Sequence, residues 1–176
     1  ASVGAHSSRR LAARVEEIEV ATSLGGARAI LFLPGSTEKA PLVIAVPPDE
    51  TPRDVFVEGP APWLTHLLSR QVAVLVPSMV ERTLDHPMCQ RTRGKDRRHI
   101  LHRLAFVVGR TVPGIEVSQI RALIEVVGQR PEIDAARIGI AGFGQGGMTA
   151  LYAAALDSRL IGAVVGGYFG PREDGW

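Results

Sequence analysis

The stretch RIGIAGFGQGGMTALYAAAL, residues 137–156, decides how this chain is read. An Ile-rich apolar run breaks into Gly142-Phe143-Gly144-Gln145-Gly146-Gly147 and passes without a spacer into small and apolar residues. An apolar run without polar alternation fits a strand buried on both faces. Small and apolar residues in series suit a helix laid against a sheet, and glycines between the two allow a tight connection. The segment therefore reads as strand, sharp turn and helix.

Working outward, the same alternation recurs. LVIAV (42–46), VAVLV (72–76) and LIGAVVGG (160–167) are further apolar runs of strand length, and LIGAVVGGYFG (160–170) is expected to be a buried strand. Between them, PWLTHLLSR (62–70) opens with a proline suited to a first helical turn, and LHRLAFVVGR (101–110) reads as helical. IEVSQIRALIEVV (115–127) repeats apolar residues at Val117, Ile120, Leu123, Ile124 and Val127, the spacing of an amphipathic helix. Ahead of these units, VEEIEVATS (15–23) alternates apolar and polar residues, Leu24-Gly25-Gly26 supplies a turn, and ARAILFLP (27–34) runs back. The expected fold class is α/β, with a mostly parallel sheet and an N-terminal antiparallel hairpin, in a single domain over 1–176.

Composition narrows the function classes. The chain has 176 residues, 45% of them hydrophobic, which is ample for one core, and a net charge of +2, too mild to argue for nucleic acid. Arg91, Arg93, Lys95, Arg97, Arg98 and Arg103 cluster around His99 and His102; the cluster reads as a solvated loop and helix start, with an anion-binding patch as the alternative. No Phe, Tyr or Trp lies between Arg91 and Arg103, so no nucleic-acid partner is expected. No apolar run nears the roughly 18 residues of a membrane-spanning helix, so no membrane partner is expected either. Cys89 is the only cysteine and reads as a loop thiol; neither a metal nor a cofactor is expected.

Two motifs share the glycine turn. Gly142, Gly144 and Gly147 satisfy G-x-G-x-x-G, the dinucleotide fingerprint, which calls for an acidic residue closing the next strand. That strand ends Val164-Val165-Gly166-Gly167-Tyr168, without an acid. Gly142-Phe143-Gly144-Gln145-Gly146 also fits G-x-S-x-G, the nucleophile elbow, with Gly144 at the nucleophile position and small residues two before and two after it. A plain glycine-rich connection remains the structural alternative.

RIGIAGFGQGGMTALYAAALDSRLIGAVVGGYFG resembles the elbow region of α/β-hydrolases of the dienelactone hydrolase and acetyl xylan esterase type, which commonly read G-F-S-Q-G-G, a helix, then D-x-R-I and a strand. LHRLAFVVGRTVPGIEVSQIRALIEVV resembles the segment leading into the preceding helix. PLVIAVPPDE resembles the strand and loop that supply the second oxyanion donor. The resemblance implies a carboxylic-ester hydrolase of the serine-hydrolase type acting on a small ester-type ligand. It assigns Gly144 to the nucleophile position, the Gln145 amide to the first oxyanion donor and Asp49 to the second, with Gly142, Gly146 and Gly147 shaping the elbow.

The sequence departs from that pattern. Gly144 has no side chain to attack an acyl carbon. The triad of this fold runs nucleophile, acid, histidine, yet His6, His66, His86, His99 and His102 all precede Gly144. Pro47 and Pro48 lack N–H groups where donors are needed. Asp49, Asp85, Asp96 and Asp174 read as surface or capping carboxylates, and His99 and His102 as solvated, with a place on the pocket rim as the alternative. The expectation is an N-terminal portion of a hydrolase domain, its C-terminal strands absent, inactive as written. The alternatives are a natural pseudoenzyme acting as a binding or interaction module, and a nucleotide-binding α/β domain. The outer edge of 160–170 is expected to be covered by a second polypeptide, by a symmetry mate in an oligomer, or by a continuation of the chain.

Overall fold

The computed structural model describes residues 2–8, 13–23, 25–35, 38–48, 61–80 and 97–169. In chain order these form β1 (Ser2–Ser8), β2 (Ala13–Thr22), β3 (Gly25–Pro34), β4 (Ala40–Val46), α1 (Pro62–Ser69), β5 (Ala73–Pro77), α2 (Arg97–Val107), α3 (Val112–Gly128), β6 (Ile133–Phe143), α4 (Gln145–Leu156) and β7 (Leu160–Gly166). One sheet contains all the described strands, in the order β1-β2-β3-β5-β4-β6-β7. β1, β2, β3 and β5 pair antiparallel in succession, whereas β5, β4, β6 and β7 run parallel.

The hairpin expected over 15–34 is present, with Val15 opposite Phe32 and Thr22 opposite Gly25. It is not the edge of the sheet, because Ser2–Ser8 adds a further strand outside β2. That polar stretch carries no apolar pattern, so its pairing could not be read from the sequence. The crossovers follow from chain direction, since parallel neighbours need a connection that returns over a face of the sheet.

Side chains alternate between the two faces. Leu31, Leu42, Ile44, Leu75, Ile138 and Ile140 meet the apolar stripe of α3 and the small residues Ala150 and Ala153 of α4. On the opposite face, Val15, Ile30, Phe32, Val74 and Val76 pack against Leu64 and Leu68 of α1. β5 is buried along its whole length, as its unbroken apolar run requires. β7 corrects an expectation: it is a strand but not a buried one, with Ile161 69% and Val164 70% exposed. It ends the sheet and has a strand neighbour on one side alone among the described residues, so its side chains lack cover.

Arg98 corrects another. Read as part of a solvated basic cluster, it is 7% exposed. Its guanidinium meets Glu116 of α3 in a two-pronged pair, Nη1 donating to Oε1 and Nη2 to Oε2, the latter at 2.9 Å. Glu116 Oε1 also accepts from the Val80 amide at 3.2 Å, and Arg98 Nη1 donates to the Val80 carbonyl at 3.3 Å. The pair thus fastens α2 and the segment after β5 onto α3. Removing one member leaves a buried charge uncompensated, so Glu116→Ala should destabilise the fold by about 3–5 kcal/mol. Arg98→Met with Glu116→Leu should recover most of that loss, since the double change removes both charges together. Urea titrations of the three proteins check this; a Glu116→Ala cost near zero would mean that the pair is not buried in solution.

Candidate functional site

The turn after β6 is built by close approach of backbones. A Cβ on Gly142 would fall on the Gly146 carbonyl, and one on Gly146 would lie 2.6 Å from the Val46 carbonyl oxygen and 2.7 Å from that of Pro47. On Gly147 it would stand 2.8 Å from the Gly166 carbonyl oxygen. Gly146 and Gly147 must be glycine because the start of α4 is wedged between the ends of β4 and β7, and Gly142 because the start of α4 folds back onto the end of β6. Gly144 differs. Its φ of 56° and ψ of −123° favour glycine, but a Cβ there would meet nothing within 4 Å. The Gly144 amide donates to the Gly166 carbonyl at 2.8 Å, and its carbonyl accepts from Met148 at 3.1 Å, which fixes the turn between β7 and the first turn of α4.

Gln145 follows as the first residue of α4, its amide at the positive end of a twelve-residue helix. The structure therefore brings Gly142, Gly144, Gln145, Gly146 and Gly147 together at the C-terminal end of β6, an interior strand, beside Pro47. Asp49 lies outside the described residues, as does Cys89. Among the described residues, no three His, Cys, Asp or Glu side chains group as metal ligands, and no helix is long and apolar enough to cross a membrane.

Two cavities flank the turn. One, of about 370 Å³, is apolar and runs from Phe143 across Ala141, Ala45 and Val43 to Leu67 and Trp63. Phe143 is 66% exposed there. The other, of about 390 Å³, lies between α2, α3 and α4, and His99 and His102 face Gln145 and Met148 across it. The half-buried His99 and exposed His102 thus border a cavity. Sequence reasoning missed Trp63 as a wall of the apolar cavity and Glu116 as a buried anchor. The second had a signal: Glu116 stands four residues before Ile120, inside the apolar stripe of α3.

The far end of α4 is tied down by charge. Asp157 accepts from the Arg159 side chain at 2.8 and 2.7 Å and from its amide at 3.1 Å. Arg159 reaches on to Glu125 and to the Arg121 carbonyl of α3. The Arg159 hydrogen bonds hold the Asp157 carboxyl down at about 2, against the opposing effect of burial.

The model of the dienelactone hydrolase family matches residues 66–174. The chain belongs to the dienelactone hydrolase family. Solved structures share its fold across nine-tenths of its length. An acetyl xylan esterase from Paenibacillus sp. R4 superposes with a TM-score of 0.65 at 20% identity, covering 92% of this chain and 51% of its own. A Bacteroides fragilis protein provisionally described as an acetyl xylan esterase gives 0.72 at 13% identity, with 93% and 47% covered. A cold-adapted esterase from an Arctic intertidal metagenomic library gives 0.60 at 15% identity, with 90% and 60% covered. The chain thus spans roughly half the length of these structures. A comparison with curated proteins gives no match.

The glycines of the turn should rank by their surroundings. Gly142→Ala and Gly146→Ala should each cost about 1–3 kcal/mol or more, since backbone must move to admit the methyl group. Gly144→Ser or Gly144→Ala should cost roughly 1 kcal/mol, from backbone conformation alone. Chemical denaturation of the variants decides it, and equal costs at all three positions would contradict the open space at Gly144. Asp157 sets an acid limit. Its folded pKa of about 2 lies below the ordinary value near 3.9, so its contribution is complete above about pH 4 and is lost as pH falls toward 2. Asp157→Asn should flatten that part of the stability curve, measured by thermal melts between pH 2 and 5.

Proposed function

We propose that this chain is a carboxylic-ester hydrolase scaffold that holds a small ester-type ligand at the Gly144 turn without cleaving it. One observation carries the reading: Gly144 has the positive φ of a nucleophile elbow, and the space where its Cβ would stand is open. A steric need for glycine explains Gly142, Gly146 and Gly147 but not Gly144. Strand, turn and helix therefore support an elbow whose nucleophile position has no side chain. Without an Oγ or Sγ at 144, no acyl-enzyme can form there. The Gln145 amide at the head of α4 can still polarise a carbonyl oxygen, which favours ligand binding over turnover.

The nucleotide-binding alternative draws less support. β6 follows five other strands rather than opening the sheet, and β7 and the residues after it, through Phe169, carry no carboxylate for a ribose.

The 176-residue chain should hydrolyse p-nitrophenyl acetate no faster than a denatured control. Gly144→Ser should remain unlabelled by a fluorophosphonate probe, because a hydroxyl without an aligned base is a poor nucleophile and no histidine follows Gly144. Stoichiometric labelling of Gly144→Ser would reveal a base already in place and overturn the non-hydrolysing reading.

A further inference from the structure

The corner between α2 and α3 displays bulky apolar side chains that the core does not use. Phe106, Val107 and Val108 are 73%, 83% and 71% exposed, and Leu104 on the last turn of α2 is half exposed. The corner is closed by its own backbone. Gly109, at a φ of 68°, donates its amide to the Phe106 carbonyl at 3.0 Å, and the Arg110 amide donates to the Ala105 carbonyl at 2.8 Å. This pair of bonds ends the helix in the left-handed glycine turn of a Schellman cap. Thr111 then starts α3 at once, its Oγ1 accepting from the Gly114 amide at 3.1 Å. Three bulky side chains in a row are thus held outward by a closed turn.

The charge beside this tip has one sign. Arg103 stands three and four residues before Phe106 and Val107, on the same side of the helix, and Arg110 stands just past the turn. Both arginines are exposed, and neither has an ion-pair partner among the described residues. From residue 97 through 124 the one carboxylate is that of Glu116, which is buried and taken by Arg98. An apolar knob flanked by cations, with no exposed acid along its stretch of chain, has the make-up of a surface that meets anionic lipid.

We propose that the α2–α3 corner docks this chain on the surface of an anionic lipid membrane, with Phe106, Val107 and Val108 entering the acyl boundary and Arg103 and Arg110 meeting headgroup phosphates. A protein partner would have to supply a groove shaped for this helix end. A lipid surface asks only for apolar depth and opposite charge. The closed turn suits the contact, since the Ala105 and Phe106 carbonyls are already paired when water is displaced. An apolar run of spanning length is absent from the sequence, but a surface contact needs none. Val112 and Pro113, next after the corner, line the cavity that reaches Gln145, so docking brings that cavity to the lipid. The docking does not rest on the hydrolase reading, since no residue of the Gly144 turn takes part in it.

Flotation of the full chain with lipid vesicles tests this. Vesicles of equal parts phosphatidylglycerol and phosphatidylcholine should bind it saturably, about tenfold or more tighter than phosphatidylcholine alone. Added salt should weaken that binding, because exposed charges are screened. Arg103→Gln with Arg110→Gln should bring the mixed vesicles down to the phosphatidylcholine level. Phe106→Ser with Val107→Ser should lower binding to mixed vesicles by about tenfold or more, since two apolar side chains no longer enter the lipid. Should that pair fail to melt cooperatively, Val107→Ser alone should weaken binding in the same direction. Leu156→Ser, an exposed apolar change on α4, should leave binding unchanged. No binding to mixed vesicles, equal binding to both vesicle types, or binding untouched by the serine changes would overturn the proposal. So would a lipid-free dimer that Phe106→Ser with Val107→Ser separates, because the tip would then be a protein interface. None of these results bears on ester cleavage, so the docking and the hydrolase reading fail separately.

Discussion

The structure depends on how closely one stretch of backbone passes two others. Where β6 turns into α4, the chain runs so near the carbonyls of Val46, Pro47 and Gly166 that Gly146 and Gly147 are obligatory, and folds so tightly on itself that Gly142 is too. That contact places α4 across β4, β6 and β7 and aims the first amides of the helix at the C-terminal ends of the parallel strands. A methyl group at Gly142 or Gly146 would push the helix away from the sheet, and the layer formed with α3 would lose its fit. The site and the fold are therefore one feature, a helix start held against strand ends.

Around that contact, burial and charge divide the work. The face beneath α3 and α4 is apolar and closed, and packing there fixes the sheet. Polar anchoring appears at the borders of that core. Arg98 and Glu116 lock α2 and the end of β5 to α3, while Asp157 and Arg159 lock the end of α4 and the start of β7 to the same helix. Both anchors converge on α3, so this helix determines the distance between the His-bearing helix and the turn at Gly144. The opposite face is covered by α1 over β3 and β5, and the apolar cavity opens where that cover stops.

Much of this was legible in the residues. Apolar runs of strand length, amphipathic spacing in 115–127 and the glycine turn gave an α/β fold with an antiparallel start, because periodicity records which faces are buried. Some elements left no such record. Ser2–Ser8 pairs with β2 but carries no apolar alternation in its sequence, so no side-chain pattern announced it. Arg98 carried the same charge as the basic residues around it, and only a partner eighteen positions away in the chain sets it apart from the solvated reading of the cluster. β7 read as buried because its composition is apolar, yet burial depends on what lies beside a strand as well as on its residues.

By itself, the sequence determined the order and type of the units, the family resemblance and the lack of a side chain at position 144. These are local properties, set by residue type and spacing. Tertiary structure decided which glycines are steric necessities and which is not, a distinction between Gly142, Gly146 and Gly147 on one side and Gly144 on the other. It also decided that His99 and His102 border a cavity with Gln145, and that Arg98 is buried. The physical reason is the same in each case. Steric room, burial and ion pairing depend on distances between segments far apart in the chain, and those exist only once the sheet and its helices have packed.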